Sequence, residues 1–64
     1  MNHLTAVILE AMEHAAMSGL CRDGQLEIAV QEARKVRPDL SDDELLELAK
    51  AVHDYPEAAS NSRQ

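Results

Sequence analysis

The stretch spanning residues 40–52 constrains the fold most, because it carries three signals for the same helix. Ser41 followed three residues later by Glu44 is the pattern of a capping box, in which each side chain accepts a hydrogen bond from the other residue's backbone N–H. Leu40 and Leu45 have the spacing of a hydrophobic staple across that helix start. Apolar residues then recur at helical spacing; they are Leu45, Leu48, Ala49 and Val52. The stretch predicts a helix over residues 42–53.

The first part of the chain shows the same helical period over residues 3–18. Asn2 is its candidate N-cap, and Gly19 suits its end because glycine readily adopts the left-handed conformation that stops helices. The main apolar face consists of Leu4, Val7, Ile8, Ala11, Met12 and Ala15.

The middle of the chain predicts another helix over residues 24–37, with Asp23 as its candidate N-cap. Pro38 ends it, because proline disfavours helical geometry in the residue before it. Its apolar stripe consists of Leu26, Ala29, Val30, Ala33 and Val36. No stretch alternates apolar and polar residues as a half-buried strand does.

These patterns predict an all-α fold of three short helices in a single domain, residues 1–56. The remaining residues, 57–64, have the small polar composition of a disordered tail.

The first helix has more apolar surface than two partner helices can cover, and this excess predicts a homodimer. The chain has 64 residues, no Phe or Trp and one Tyr, so its core is small. A groove for a different protein would need the same exposed apolar surface, and both interpretations stay open. The predicted dimer or partner interface consists of Leu9, Met12, Ala16, Met17, Ile28 and Leu46.

The charge of the chain is acidic and uneven. The formal net charge is −6, which argues against unaided binding to a phosphate backbone, since such binding depends on Lys and Arg. The third helix concentrates this charge, and it forms a candidate docking face for a basic partner. An alternative is that these residues only stabilise the helix dipole and keep the protein in solution. The face consists of Asp42, Asp43, Glu44 and Glu47.

The order helix, short turn, capped helix also suggests a helix-turn-helix DNA-binding regulator. The helix that would enter the major groove is the acidic one, which repels phosphates. In this alternative a dimer would therefore bind DNA through a basic patch, whose candidate residues are Arg22, Arg34, Lys35 and Arg37.

Catalytic and metal-binding patterns are weak. Cys21 with His14 or His53 is the single nucleophile–base pairing to consider, and a lone cysteine in a linker is more often a small packing residue. The histidines and the cysteine lack the close spacing of zinc ligands. We therefore expect no enzyme activity, no metal and no cofactor.

The sequence offers no targeting or membrane signal. The N-terminal residues lack the basic run of a secretory signal, and no apolar run has the length of about 18 residues that a membrane span needs. We therefore expect a cytoplasmic protein without a membrane partner.

Two segments resemble the small helical accessory proteins of lambdoid bacteriophages, encoded between the exonuclease and excisionase genes. They are Leu-Glu-Ala-Met-Glu-His at residues 9–14 and Arg-Pro-Asp-Leu-Ser-Asp-Asp-Glu at residues 37–44. The resemblance implies an early, non-enzymatic protein that acts on the host cell or on the lysis–lysogeny decision by binding a partner. No functional residue is transferred by it. Together with the composition, it predicts a small acidic interaction or regulatory protein, acting as a homodimer on a protein partner in the host cytoplasm.

Overall fold

The computed structural model describes residues 3–55, which form three α-helices: α1 (His3–Met17), α2 (Arg22–Val36) and α3 (Asp42–Asp54). None of the described residues lies in a strand, so the all-α prediction is confirmed. The candidate cap Asn2 and the predicted tail, residues 57–64, lie outside the described residues. Within residues 3–55, no helix is both long enough and apolar enough to cross a membrane.

The start of α3 is built as the sequence predicts. The Glu44 backbone N–H donates to Ser41 Oγ over 3.1 Å, and the Ser41 N–H donates to Glu44 Oε1 over 3.0 Å, which completes the capping box. Leu45 is fully buried, and Leu40 is half-buried against the same core. The helix ends at Asp54, one residue later than predicted.

The end of α1 is a Schellman motif centred on Gly19, the one described residue with a positive φ, +89°. The Leu20 N–H donates to the Ala15 carbonyl over 3.1 Å, and the Gly19 N–H donates to the Ala16 carbonyl over 3.0 Å. These bonds satisfy carbonyls that the helix end would otherwise leave unpaired. The glycine stop is therefore confirmed, and α1 ends at Met17, one residue earlier than predicted.

The predicted start of α2 is wrong. The helix begins at Arg22, two residues before the predicted start at Gly24, and its N-cap is Cys21, whose side chain makes no capping hydrogen bond. Asp23 lies inside the first turn, where the helix dipole favours its charge without its acting as the cap. The Gln25 N–H donates to the Cys21 carbonyl over 2.9 Å, so the helical hydrogen bonds already start from Cys21. Gly24 then lies close to Leu20, where an added Cβ would approach the Leu20 Cβ to 3.1 Å.

The core between the helices is made of small and medium aliphatic side chains. The largest fully buried side chains are Ile8 and Leu45. Almost half of the buried residues are alanines, which let the helices approach closely. The predicted stripes supply all of the buried hydrophobic residues. They are Leu4, Ile8, Ala11, Met12 and Ala15 of α1, Leu26, Ala29 and Ala33 of α2, and Leu45, Ala49 and Val52 of α3.

We expect Ser41→Ala to lower the free energy of unfolding by about 1 kcal/mol, because the Glu44 N–H loses its partner at the start of α3. Urea denaturation followed by circular dichroism measures this change. Ser18→Ala is the matched control, since the exposed Ser18 side chain makes no hydrogen bond to another described residue. Equal stability of the two variants would contradict the role of the cap.

Candidate interaction surface

The six residues of the predicted interface do not form one surface. Three of them, Leu9, Met12 and Ala16, line a groove of about 290 Å³ between α1 and α3. Ile28 lines a separate groove of about 290 Å³ between α1 and α2. Leu46 lines a third groove of about 580 Å³ between α2 and α3. Five of the six predicted residues are therefore divided among the three helix pairs, and Met17 lines none of these grooves.

Most of the apolar surface expected to be in excess is covered by the chain itself. Met12 is only 4% exposed and belongs to the core, so it offers little free surface to a partner. Leu9, Ile28 and Leu46 are half-buried and pack against that core. Ala side chains lining the helix contacts leave room for these flanking residues to fold inward. Ala16 and Met17 are the predicted interface residues that stay exposed.

The remaining large exposed apolar side chains lie at one end of the bundle. Met17 is 85% exposed, Leu20 is 41% exposed and Tyr55 is 68% exposed. Met17 is the last residue of α1 and Leu20 lies in the turn to α2. Tyr55 follows α3, whose last residue is joined by an ion pair to Arg22 at the start of α2. We call Met17, Leu20 and Tyr55 the end patch; sequence periodicity missed the last two because they lie outside the helices.

The four candidate basic-patch residues are all ion-paired, and they are spread along α2 and the turn after it. Arg22 and Arg34 are more than three turns apart, about 18 Å along the helix axis. Each of the four has a carboxylate within ion-pair distance. The pairs are Arg22 with Asp54 at 3.4 Å, Arg34 with Asp42 at 2.8 Å, Lys35 with Glu32 at 3.2 Å, and Arg37 with Asp39 at 2.8 Å.

The candidate acidic face is also partly engaged. Asp42 accepts two hydrogen bonds from Arg34, and Glu47 lies 3.5 Å from Lys50. Glu44 completes the capping box. Asp43 is the one member of the predicted face that has neither an ion pair nor a side-chain hydrogen bond with another described residue. Helix-start chemistry and helix packing therefore account for most of this face.

The net charge of the described surface comes from carboxylates without ion pairs. All five Lys and Arg among residues 3–55 are matched to a carboxylate, the fifth being Lys50 with Glu47. Unmatched carboxylates remain on all three helices. Apart from Glu44 in the capping box, they are Glu10, Glu13, Asp23, Glu27 and Asp43.

Three of this set line the groove between α2 and α3, with Asp23 and Glu27 toward the end at which α2 starts and Asp43 toward the opposite end. Its floor contains the buried Leu26 with the half-buried Val30 and Leu46. We call this site the α2–α3 groove. The sequence does not reveal this groove, because Asp23 has the pattern of a helix cap. A linear pattern also does not show which charges of α2 and α3 neutralise each other.

Two ion pairs bridge α2 and α3 at opposite ends of the groove. Arg22 Nη2 contacts Asp54 Oδ2 at 3.4 Å, and both Arg34 Nε and Nη2 donate to Asp42 Oδ1, at 3.1 and 2.8 Å. The start of α2 thus lies beside the end of α3, and the two helices are antiparallel. Both arginines are held by α3. Asp23, Glu27 and Asp43, which we call the acidic rim, have no ion pair within residues 3–55.

Hydrogen bonds lower the pKa of two carboxyl groups. The pKa of Asp54 is below its usual value because its carboxylate is hydrogen-bonded by His53, with Nδ1 at 3.1 Å, and then by Arg22. The pKa of Asp39 is lowered chiefly by the hydrogen bonds from Arg37, and the pKa of Arg37 is raised by the same contact. Both carboxyl groups therefore favour the folded state in their charged form.

The residues considered for catalysis and metal binding are separated. Cys21 is exposed at the N-cap of α2 and lines none of the three grooves, whereas His14 and His53 line different ones. Among residues 3–55, no group of three or more His, Cys, Asp or Glu side chains is arranged to hold a metal ion.

No protein-family model, curated protein or solved structure matches this chain.

We expect Asp54→Asn to lower the free energy of unfolding at pH 7, because the neutral amide loses the ion pair with Arg22 and the carboxylate that is hydrogen-bonded with His53. A carboxyl group with a lowered folded pKa stabilises the fold above the usual carboxyl pKa of about 4 and loses that contribution as the pH falls through the folded pKa. The difference between wild type and variant should therefore shrink at lower pH. Urea denaturation from pH 7 to pH 3 measures it.

The matched control for this experiment is Glu13→Gln, which removes a carboxylate that has no ion pair with the described residues. A stability difference for Asp54→Asn that stays constant over the whole pH range would contradict the assignment.

Proposed function

We propose that this chain is a small acidic binding protein that regulates a protein partner by occupying a basic surface of that partner, without catalysis of its own. The observation that carries the proposal is the distribution of charge. Every described Lys and Arg is held by a carboxylate, while unmatched carboxylates remain on all three helices. A surface of one sign attracts and orients partners of the opposite sign.

The position of Cys21 supports a non-enzymatic role. A nucleophile needs a base, an orienting group and a concave site that binds the substrate. Cys21 is exposed and lies outside the three grooves, and neither His14 nor His53 is hydrogen-bonded to it.

A homodimer is the second part of the proposal, and the end patch is the feature that supports it. Met17, Leu20 and Tyr55 expose apolar surface at the same end of the bundle. A two-fold symmetric contact would bring the same patch of two copies together and cover these side chains. The proposed dimer interface thus consists of the end patch together with Ala16 and Leu9 of α1.

We expect the wild-type protein to show a melting temperature that rises with concentration, and Met17→Lys to remove that dependence and yield a monomer. The reason is that Met17 is 85% exposed, so the substitution places a charge in the end patch without removing a core contact. Analytical ultracentrifugation at low micromolar concentration gives the mass.

Ala6→Lys is the control for the dimer experiment, because Ala6 is also exposed on α1 but lies toward the opposite end of the helix. Both new lysines stand four residues from a glutamate of α1, Glu10 or Glu13, but the helix dipole favours a cation at Met17 and disfavours one at Ala6. The comparison therefore uses the concentration dependence of each variant's melting temperature and not its absolute value. A wild-type monomer, or equal dissociation by both variants, would contradict an end-patch dimer.

The resemblance to lambdoid phage accessory proteins stays a prediction. In that setting the basic partner would be a protein of the infected cell.

We expect the protein to bind a lysine-rich peptide and not a glutamate-rich peptide of the same length and apolar content, because the charges without an ion pair among residues 3–55 are negative. Affinity should fall about tenfold between roughly 50 and 200 mM salt, since exposed charges are screened over about 10 Å. Fluorescence anisotropy with labelled peptides measures both effects. Equal binding of the two peptides would contradict the proposal, and tight, salt-sensitive binding of mixed-sequence DNA would favour the helix-turn-helix alternative.

A further inference from the structure

The geometry points to the α2–α3 groove as the binding site for one basic amphipathic helix of the partner protein. This inference rests on the proposed function and gives it a location and a partner structure. The partner helix would place apolar side chains on Val30 and Leu46 and its Lys or Arg side chains beside the acidic rim.

The floor of the groove offers one half-buried apolar side chain from each helix. Val30 of α2 and Leu46 of α3 both line the groove, whereas Leu26 is only 4% exposed and belongs to the core. A partner helix that lies in the groove can present apolar side chains one turn apart, about 5–6 Å, to these two residues. A helix bound in a groove between two other helices is recognised through apolar anchor residues of this kind.

The length of the groove suits a helix of about three turns. The two bridging ion pairs, Arg22 with Asp54 and Arg34 with Asp42, lie at its ends. The two arginines are about 18 Å apart along α2, which corresponds to twelve residues of a partner helix at about 1.5 Å each. The groove volume is about 580 Å³, twice that of either neighbouring groove.

The charge expected on the partner helix follows from which rim residues lack an ion pair with the described residues. Arg22, Arg34 and Lys50 line the groove, and each has a carboxylate partner within the chain. Asp23 and Glu27 on the α2 side, and Asp43 on the α3 side, have no ion pair with the described residues. A helix with cations on both flanks of its apolar stripe would neutralise both sides, whereas an acidic helix would meet unpaired negative charge.

The test uses a synthetic 18-residue helical peptide with leucines at three- and four-residue spacing and lysines on both flanks. Binding to the full chain is measured by fluorescence anisotropy, and the contact site is mapped by amide chemical shifts of the ¹⁵N-labelled protein. We expect the largest shifts at Val30 and Leu46, and about tenfold weaker binding when serines replace the peptide leucines. Undiminished binding of the serine peptide would overturn the inference, because the apolar floor would then contribute nothing.

The rim is tested by a double variant, Asp23→Asn with Glu27→Gln, against a control that removes the same charge from α1, Glu10→Gln with Glu13→Gln. All four residues are exposed, so both proteins should fold, which circular dichroism checks. We expect about tenfold weaker peptide binding for the rim variant and less than about twofold for the control.

The floor is tested in the same way by Leu46→Ala, with Leu48→Ala as its matched control. Both leucines are half-buried on α3 and pack against the core, but only Leu46 lines the α2–α3 groove. Both substitutions should cost similar stability, and only Leu46→Ala should weaken binding of the peptide.

Four results would overturn the groove assignment. Equal weakening of peptide binding by the rim variant and its α1 control would show that the protein binds a basic partner at a site other than this groove. Chemical shift changes centred on α1 would show the same. Dilution-dependent shifts at Val30 and Leu46 in the protein alone would assign the groove to a second copy. Failure of every basic peptide to bind would remove the proposed function together with its location.

Discussion

The close packing of three helices around alanine is the constraint on which the rest of this structure depends. With no Phe or Trp available, Ile8 and Leu45 are the largest side chains fully enclosed, and alanines fill much of the remaining contact. Close approach lets the flanking leucines, isoleucine and valines turn partly inward. The apolar surplus anticipated on α1 is thereby reduced, and what remains is divided into shallow grooves between helix pairs and a small patch at one end.

The same packing decides which charges the protein presents. Antiparallel α2 and α3 place Arg22 beside Asp54 and Arg34 beside Asp42, so both arginines form ion pairs within the chain. Exposed pairs of this kind contribute little to stability. Their larger consequence concerns recognition, because Asp23, Glu27 and Asp43 then have no ion pair within residues 3–55 and line a groove with an apolar floor. These carboxylates and the half-buried apolar side chains of Val30 and Leu46 therefore line the same groove.

The sequence was a good guide where the determining interactions are local. The capping box needs only Ser41 and Glu44, and the end of α1 needs only Gly19 with the carbonyls of the preceding turn. Prediction failed at the start of α2, where Asp23 resembles a cap but Cys21 occupies the capping position. The first helical hydrogen bond runs from the Gln25 N–H to the Cys21 carbonyl, and Gly24 lies close to Leu20, neither of which a pattern of single residues reveals.

The sequence by itself determined the helical class, the three helices and the apolar stripes, because each follows from interactions within about one turn of the chain. Tertiary structure alone decided the surface. It placed Met12 in the core, separated Ile28 and Leu46 into different grooves, and paired Arg22 with Asp54 and Arg34 with Asp42. These outcomes depend on how the helices are oriented relative to one another, and that orientation arises from packing between residues far apart in the chain.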